Sequence, residues 1–96
     1  MKIWLKTLID EKIIKSYVYT PQTYVESEIC EYVKEICNEI DEPTPLFLQK
    51  HYNHIHEFNN TLFTPVDFVE SVDFDSMHIQ VFDEKQEKKK ENPFYI

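Results

Sequence analysis

The chain has 96 residues, 42% of them hydrophobic and 15% aromatic, which suits one folded domain with a real core and excludes both a two-domain protein and a disordered one. Its net charge of −8 disfavours direct binding to nucleic acid or to anionic membrane, and no apolar run approaches the roughly 18 residues of a membrane span. Glycine, alanine and arginine are all absent, so there is no glycine-rich phosphate cradle, no nucleophile elbow of the usual kind and no bidentate guanidinium fork.

In chain order, residues 2–9 and 12–19 are rich in β-branched and aromatic residues and meet at Asp10-Glu11. They predict an antiparallel hairpin, although its turn lacks the favoured Asn-Gly or Asp-Gly pair. Apolar side chains fall on both faces of the first run: Ile3, Leu5 and Ile9 on one, Trp4 and Leu8 on the other. That pattern puts it at the centre of a sheet, or brings its second face against another surface. A lysine interrupts the N-terminal apolar stretch and no small-residue cleavage site follows, so the segment reads as a strand and not a signal peptide. A cytoplasmic location is the expectation.

Three Thr-Pro pairs punctuate the rest, at Thr20-Pro21, Thr44-Pro45 and Thr64-Pro65. Threonine as N-cap followed by proline at the first helical position would suit a helix start at each. The first pair leads into a predicted helix over 21–40, where Ile29, Val33, Ile36 and Ile40 repeat at helical spacing, Cys30 and Cys37 widen the stripe, and Glu28, Glu31, Glu35 and Glu39 line the other side. The cysteines lie seven residues apart, about 10 Å along the axis, too far for a disulfide and consistent with buried apolar roles. A second helix is expected from Pro45 to about Glu57. Thr64-Pro65-Val66-Asp67 resembles a capping box opening a single turn, and a short strand is possible near Leu62-Phe63. From Met77 to Phe82 alternation returns, with Met77, Ile79 and Val81 facing inward and His78, Gln80 and Phe82 on a wet face.

The expected fold class is therefore α+β: a small, largely antiparallel sheet made of the β-hairpin plus a C-terminal strand, order ββααβ, with two helices packed on one face. Residues 1–84 form the domain and 85–96 a charged C-terminal extension ending in the apolar Phe94-Tyr95-Ile96. Charge is concentrated in two blocks. Residues 23–42 hold seven acids against Lys34, and residues 65–84 hold six acids and no lysine.

His51, His54 and His56 invite a metal site. At about 100° per residue, however, His51 lies in the apolar stripe of Leu48, Ile55 and Phe58, His54 about 60° to one side, and His56 about 160° from His54. Only His51 and His54 could act together, with acids from elsewhere such as Glu70 or Asp73, in a metal-binding protein or metal-dependent hydrolase. The acids Asp67, Glu70, Asp73 and Asp75 read as the solvated side of an extended segment anchored by Phe68, Val72 and Phe74. No serine has an activating neighbour. Trp4, Tyr17, Tyr19 and Phe82 lie on strand faces that two short helices would not wholly cover, which marks them as candidate protein-contact residues.

The segments Asp41-Glu-Pro-Thr-Pro45, Lys50-His51, Glu57-Phe58, Thr61-Leu-Phe63, Asp67-Phe-Val-Glu70 and Val72-Asp-Phe-Asp75, with the opening Ile3-Trp-Leu-Lys and Asp10-Glu-Lys-Ile-Ile-Lys15, resemble a group of short uncharacterised proteins from low-GC Gram-positive bacteria. The resemblance spans about residues 1–82 and implies a bacterial cytoplasmic origin without an activity. The leading functional expectation is a non-enzymatic, acidic interaction or accessory module with a protein partner or self-association, no cofactor, no direct nucleic-acid binding and no membrane. A weaker alternative has the two acidic blocks mimic nucleic acid on a basic partner.

Overall fold

A computed structural model of the protein describes residues 1–83; the charged extension expected at 85–96 lies outside them. Among the described residues four strands form one wholly antiparallel sheet: β1 (Lys2–Ile9), β2 (Lys12–Tyr19), β3 (Asn60–Phe63) and β4 (Ser76–Phe82), in the order β2-β1-β4-β3. Two helices, α1 (Ile29–Ile40) and α2 (Gln49–Phe58), join β2 to β3. The architecture is α+β as expected, with β3 as the fourth strand, and no helix among the described residues is long and apolar enough to cross a membrane.

β1 is central, flanked by β2 and β4. Register then sorts its side chains. Ile3, Leu5 and Thr7 stand opposite Tyr19, Tyr17 and Lys15 on one side and Val81, Ile79 and Met77 on the other, so these residues share one face. Both helices cover that inner face: Ile29, Val33, Ile36 and Cys37 of α1 and Ile55 of α2 join Ile3, Leu5, Phe63, Met77, Ile79 and Val81 in one core, each worth roughly 1.5–3 kcal/mol of apolar transfer. Phe68 and Phe74, from the segment between β3 and β4, close the same core.

The β1–β2 turn solves the missing-glycine problem at a cost. Asp10 (φ 52°) and Glu11 (φ 66°) both take the left-handed conformation that a two-residue primed turn needs. Asp41 (φ 60°) and Asn59 (φ 60°) do the same where α1 and α2 end. Glu42 and Asp41 donate back to the Cys37 and Asn38 carbonyls, and Asn59 donates to Ile55, which satisfies carbonyls left over at each helix end. Aspartate and asparagine tolerate this backbone better than other residues, so three of the four positions are well chosen. Glu11 is the strained one. Glu11→Gly is expected to raise stability by about 0.5–1 kcal/mol, the relief of left-handed strain less the added entropy of unfolded glycine; an unchanged or lower urea midpoint would refute this.

Beyond the turn a bulge leaves Ile14 unpaired, because Thr7 pairs with Lys15 while Leu8 pairs with Ile13. The Lys15 amide donates to the Thr7 hydroxyl there (3.2 Å). The Lys15 ammonium reaches the far end of α1, where it donates to the Ile40 carbonyl (2.9 Å) and pairs with Glu42 (2.8 Å), a cation placed at the negative end of a helix.

The helix starts depart from expectation. Residues 21–25 are not helical: a 3-10 turn at Glu26–Glu28 precedes α1, and the chain after Thr20-Pro21 first crosses from the sheet to the helix layer. The Tyr32 hydroxyl holds this crossing, accepting from the Val25 amide (3.0 Å) and donating to the Thr23 carbonyl (3.1 Å). Likewise Pro45 is buried in non-helical chain whose neighbour Leu46 donates to the Asp67 carbonyl (2.8 Å), and α2 begins only at Gln49. Of the three Thr-Pro pairs only Thr64-Pro65 opens a helical turn, the 3-10 turn Pro65–Asp67, with Asp67 Oδ2 accepting from the Thr64 amide (2.8 Å). Thr-Pro fixes an extended residue before proline, and a tertiary crossing uses that as readily as a helix does.

Candidate functional site on the open face of the sheet

The three histidines of α2 do not converge. His51 is fully buried (0% exposed), its ring 4.3 Å from that of Phe63 and edge-on to Phe47 at 5.8 Å. Its Nδ1 accepts from the Leu48 amide (2.9 Å), the reach-back half of a capping box with histidine where glutamate or glutamine is usual. Nδ1 is therefore unprotonated and Nε2 carries the proton, facing Asp67 Oδ2 at 3.8 Å. Burial pushes its pKa below the ordinary value, against the opposing pull of Asp67. His54 is exposed with Nδ1 3.2 Å from the Thr61 hydroxyl, and His56 pairs with Glu26 at 2.9 Å. Among the described residues no group of three or more His, Cys, Asp or Glu side chains is placed to hold a metal ion.

The acidic segment is anchored as expected by buried Phe68 and Phe74, with Glu70, Asp73 and Asp75 exposed. Asp67 is the exception. It is buried, because its carboxylate serves the Thr64 amide and faces His51. The Cys37 thiol is buried against the sheet and its pKa is pushed up to about 12, mainly by loss of solvent, so it does not supply a thiolate. Cys30, expected on the buried stripe, is only half-buried.

The four aromatic contact candidates divide between the two faces. Trp4 opposes Val18 and Gln80, and Phe82 opposes Lys2, so Trp4 and Phe82 stand on the outer face. Tyr17 and Tyr19 stand on the inner face and pack against the core. The Tyr19 ring lies 5.9 Å from Tyr32, and its hydroxyl donates to Glu35 (3.0 Å), which raises its pKa. They belong to the sheet–helix interface; the bulge at Ile14, which brings Val18 and not Tyr17 opposite Trp4, separates the pairs.

The outer face is the unusual surface. Among the described elements the helices and the 64–75 segment pack on the other side, yet the outer face is not the polar one expected of such a sheet. Trp4 and Leu8 project from β1 and Phe82 from β4, with Ile13 (51% exposed) and Val18 (48%) from β2 and Leu62 (49%) from β3. These last three went unmarked in the sequence; the two-residue turn sets Ile13 opposite Leu8, and Val18 comes to the same face only through the bulge at Ile14. Three polar residues, Lys6, His78 and Gln80, sit at the centre. Lys6 lies with its ammonium 4.0 Å from the centre of the Trp4 ring, a cation–π contact, and burial lowers its pKa. Across from it His78 has its pKa depressed to about 4, first by burial and then by Lys6. Gln80 completes the row and is also buried, which corrects the expectation of a wet face.

With strands spaced about 4.8 Å apart and a rise of about 3.3 Å per residue, strands of eight, eight, four and seven residues offer a footprint of roughly 430 Å². That suits a peptide or a transient partner and not an obligate interface. No protein-family model, curated protein or solved structure matches the chain.

Proposed function

We propose that this protein is a small interaction module that binds another protein through the outer face of its sheet, and that it works without catalysis. The observation that carries the reading is the apolar outer face, where Ile13, Val18 and Leu62 stay half exposed beside Trp4, Leu8 and Phe82. Solvated sheet faces are ordinarily polar, and contiguous exposed apolar surface on a small domain marks a contact site. Two observations favour binding over chemistry: the buried thiol of Cys37 is held protonated, and His51 is consumed in capping α2 and filling the core. The acidic charge favours a partner with a basic rim around an apolar centre.

The test is site-specific photocross-linking in the native host. Photoreactive residues at Val18 and Leu62 are expected to trap one discrete partner, whereas the same residue at Glu39, on the exposed side of α1, traps none. Val18→Lys with Leu62→Lys is expected to weaken that contact at least about tenfold while the melting temperature moves by no more than about 4 °C, since both positions lie on edge strands and are half exposed. Adducts that form equally at Glu39, or that survive the double substitution, would refute the reading.

A further inference from the structure

The sheet has two edges among the described residues, β3 and β2, and they are built differently. β3 is four residues long, and so short an edge offers little for another strand to pair with. β2 has eight residues, and only its turn end is blunted, by the bulge at Ile14. Beyond the bulge, Lys15 to Tyr19 pair with β1 without a break, and this run holds no proline and no acid. The Lys15 amide points at β1, where it donates to the Thr7 hydroxyl. Backbone groups alternate in direction along a strand, so the N–H and C=O of Ser16 and Val18 point away from β1. No described strand pairs with them.

α1 forms a wall beside this edge. It runs antiparallel to β2, because Tyr19 meets Glu35 (3.0 Å) while Lys15 meets the Ile40 carbonyl (2.9 Å). At about 100° per residue, Glu35 and Glu39 fall on one flank of the buried stripe and Cys30 and Cys37 on the other. The Cys30 flank lies against Tyr52 of α2, so the glutamate flank faces the β2 side. Lys34, the single lysine of α1, falls at least about 100° from both glutamates. Lys15 is already paired with Glu42 (2.8 Å). The edge is therefore apolar on one side, at Val18, and acidic on the other.

We infer that the β2 edge takes an extended segment of a partner protein as an added strand, one in which lysine or arginine alternates with apolar residues. The main-chain hydrogen bonds run through Ser16 and Val18. Period-two alternation turns the basic side chains of that segment toward Glu35 and Glu39 and its apolar ones toward the side of Val18. Charge decides against a second copy of this chain. Antiparallel pairing of β2 with itself would put both helix layers on one side of the joined sheet and bring their glutamate flanks together. This edge is a separate surface from the outer face, and the inference stands without that reading.

The probe is a synthetic end-blocked octapeptide of alternating lysine and valine, set against a glutamate–valine octapeptide of the same length. Amide hydrogen exchange of the full-length chain reads the contact. Saturating lysine–valine peptide is expected to slow exchange at Ser16 and Val18 at least about tenfold, with Tyr17, whose amide faces β1, unchanged. The glutamate–valine peptide should protect neither. Glu35→Gln with Glu39→Gln is expected to weaken the lysine–valine peptide about five- to tenfold. Ser16→Pro removes an outward N–H that the β1 ladder does not use, and should abolish protection at Val18 with the circular dichroism unchanged. Equal protection by both peptides overturns the inference. So does lysine–valine binding without protection at Ser16 and Val18, which would reduce the attraction to net charge. Protection that grows with protein concentration in the absence of peptide also overturns it, and makes a second copy the occupant. Leu62→Ser, on the far edge, should leave the peptide's affinity within about twofold; a larger loss would put the peptide on the outer face and overturn the edge.

Discussion

His51→Ala is expected to destabilise the fold by about 3–4 kcal/mol, enough to bring a domain of this size close to unfolding at room temperature. Three losses combine. The ring is fully buried between Phe47 and Phe63, so its removal leaves a cavity in the core. The Leu48 amide loses the acceptor that caps α2, worth about 1 kcal/mol. Asp67, also buried, loses the proton that faces it. His51→Gln separates these contributions, because glutamine at this position of a helix can accept from the Leu48 amide but cannot fill the space between the two phenyl rings. It should recover roughly 1 kcal/mol of the loss. Thermal melts read the difference at about 4–8 °C per kcal/mol. Equal stability of the wild type and the alanine variant would mean that His51 is not the keystone its burial indicates.

Stability should also fall as pH drops from about 6.5 toward 4, and histidine is the cause. His78 has its pKa depressed to about 4, and His51 is shifted in the same direction, both first by burial. A basic group with a folded pKa below its unfolded value takes up its proton more readily when the chain is unfolded. The stability it lends is therefore complete above the unfolded value of about 6.5 and lost as pH falls toward the folded value, below which no more is lost. For His78 the loss is about 1–2 kcal/mol after allowance for partial solvation of the ring. Urea midpoints at pH 7.5 and 5.0 measure it. His78→Gln should shrink the difference between those midpoints by about a third to a half, since glutamine carries no proton to exchange. An identical pH dependence in that variant would assign the effect to carboxylates instead.

The two predictions draw on residues whose roles differed in legibility. His51 falls in the apolar stripe of α2 by helical spacing, and its burial is readable from that; its use as the cap of α2 is not, because nothing local marks Leu48 as the residue that starts the helix. His78 alternates with Met77 and Ile79 in β4, so its outward direction is plain, yet its depressed pKa follows first from burial and then from the Lys6 charge on the neighbouring strand, neither of which the alternation shows. The candidate site divides in the same way. Trp4 and Phe82 were identifiable as face residues. Tyr17 and Tyr19 were grouped with them because strand propensity does not say which side a helix will cover, and α1 covers theirs.

What the residues decide by themselves is the character of each element. Period-two alternation in 2–9, 12–19 and 77–82 separates two faces per strand, and the stripe Ile29, Val33, Ile36 makes α1 amphipathic whatever surrounds it. The missing glycine is equally local: it forces Asp10, Glu11, Asp41 and Asn59 into the left-handed region wherever the chain must turn sharply. Tertiary structure decided where helices begin, that β3 pairs with β4, and that both helices lie on the same side. These depend on crossings such as 20–28 and 41–48, the first held by the Tyr32 hydroxyl reaching back to Thr23 and Val25 and the second by the bond from Leu46 to Asp67, far away in sequence. The outer face follows from that last choice. A strand's periodicity specifies that it has two sides, and only the count and placement of the helices determines which of them is left for something else to cover.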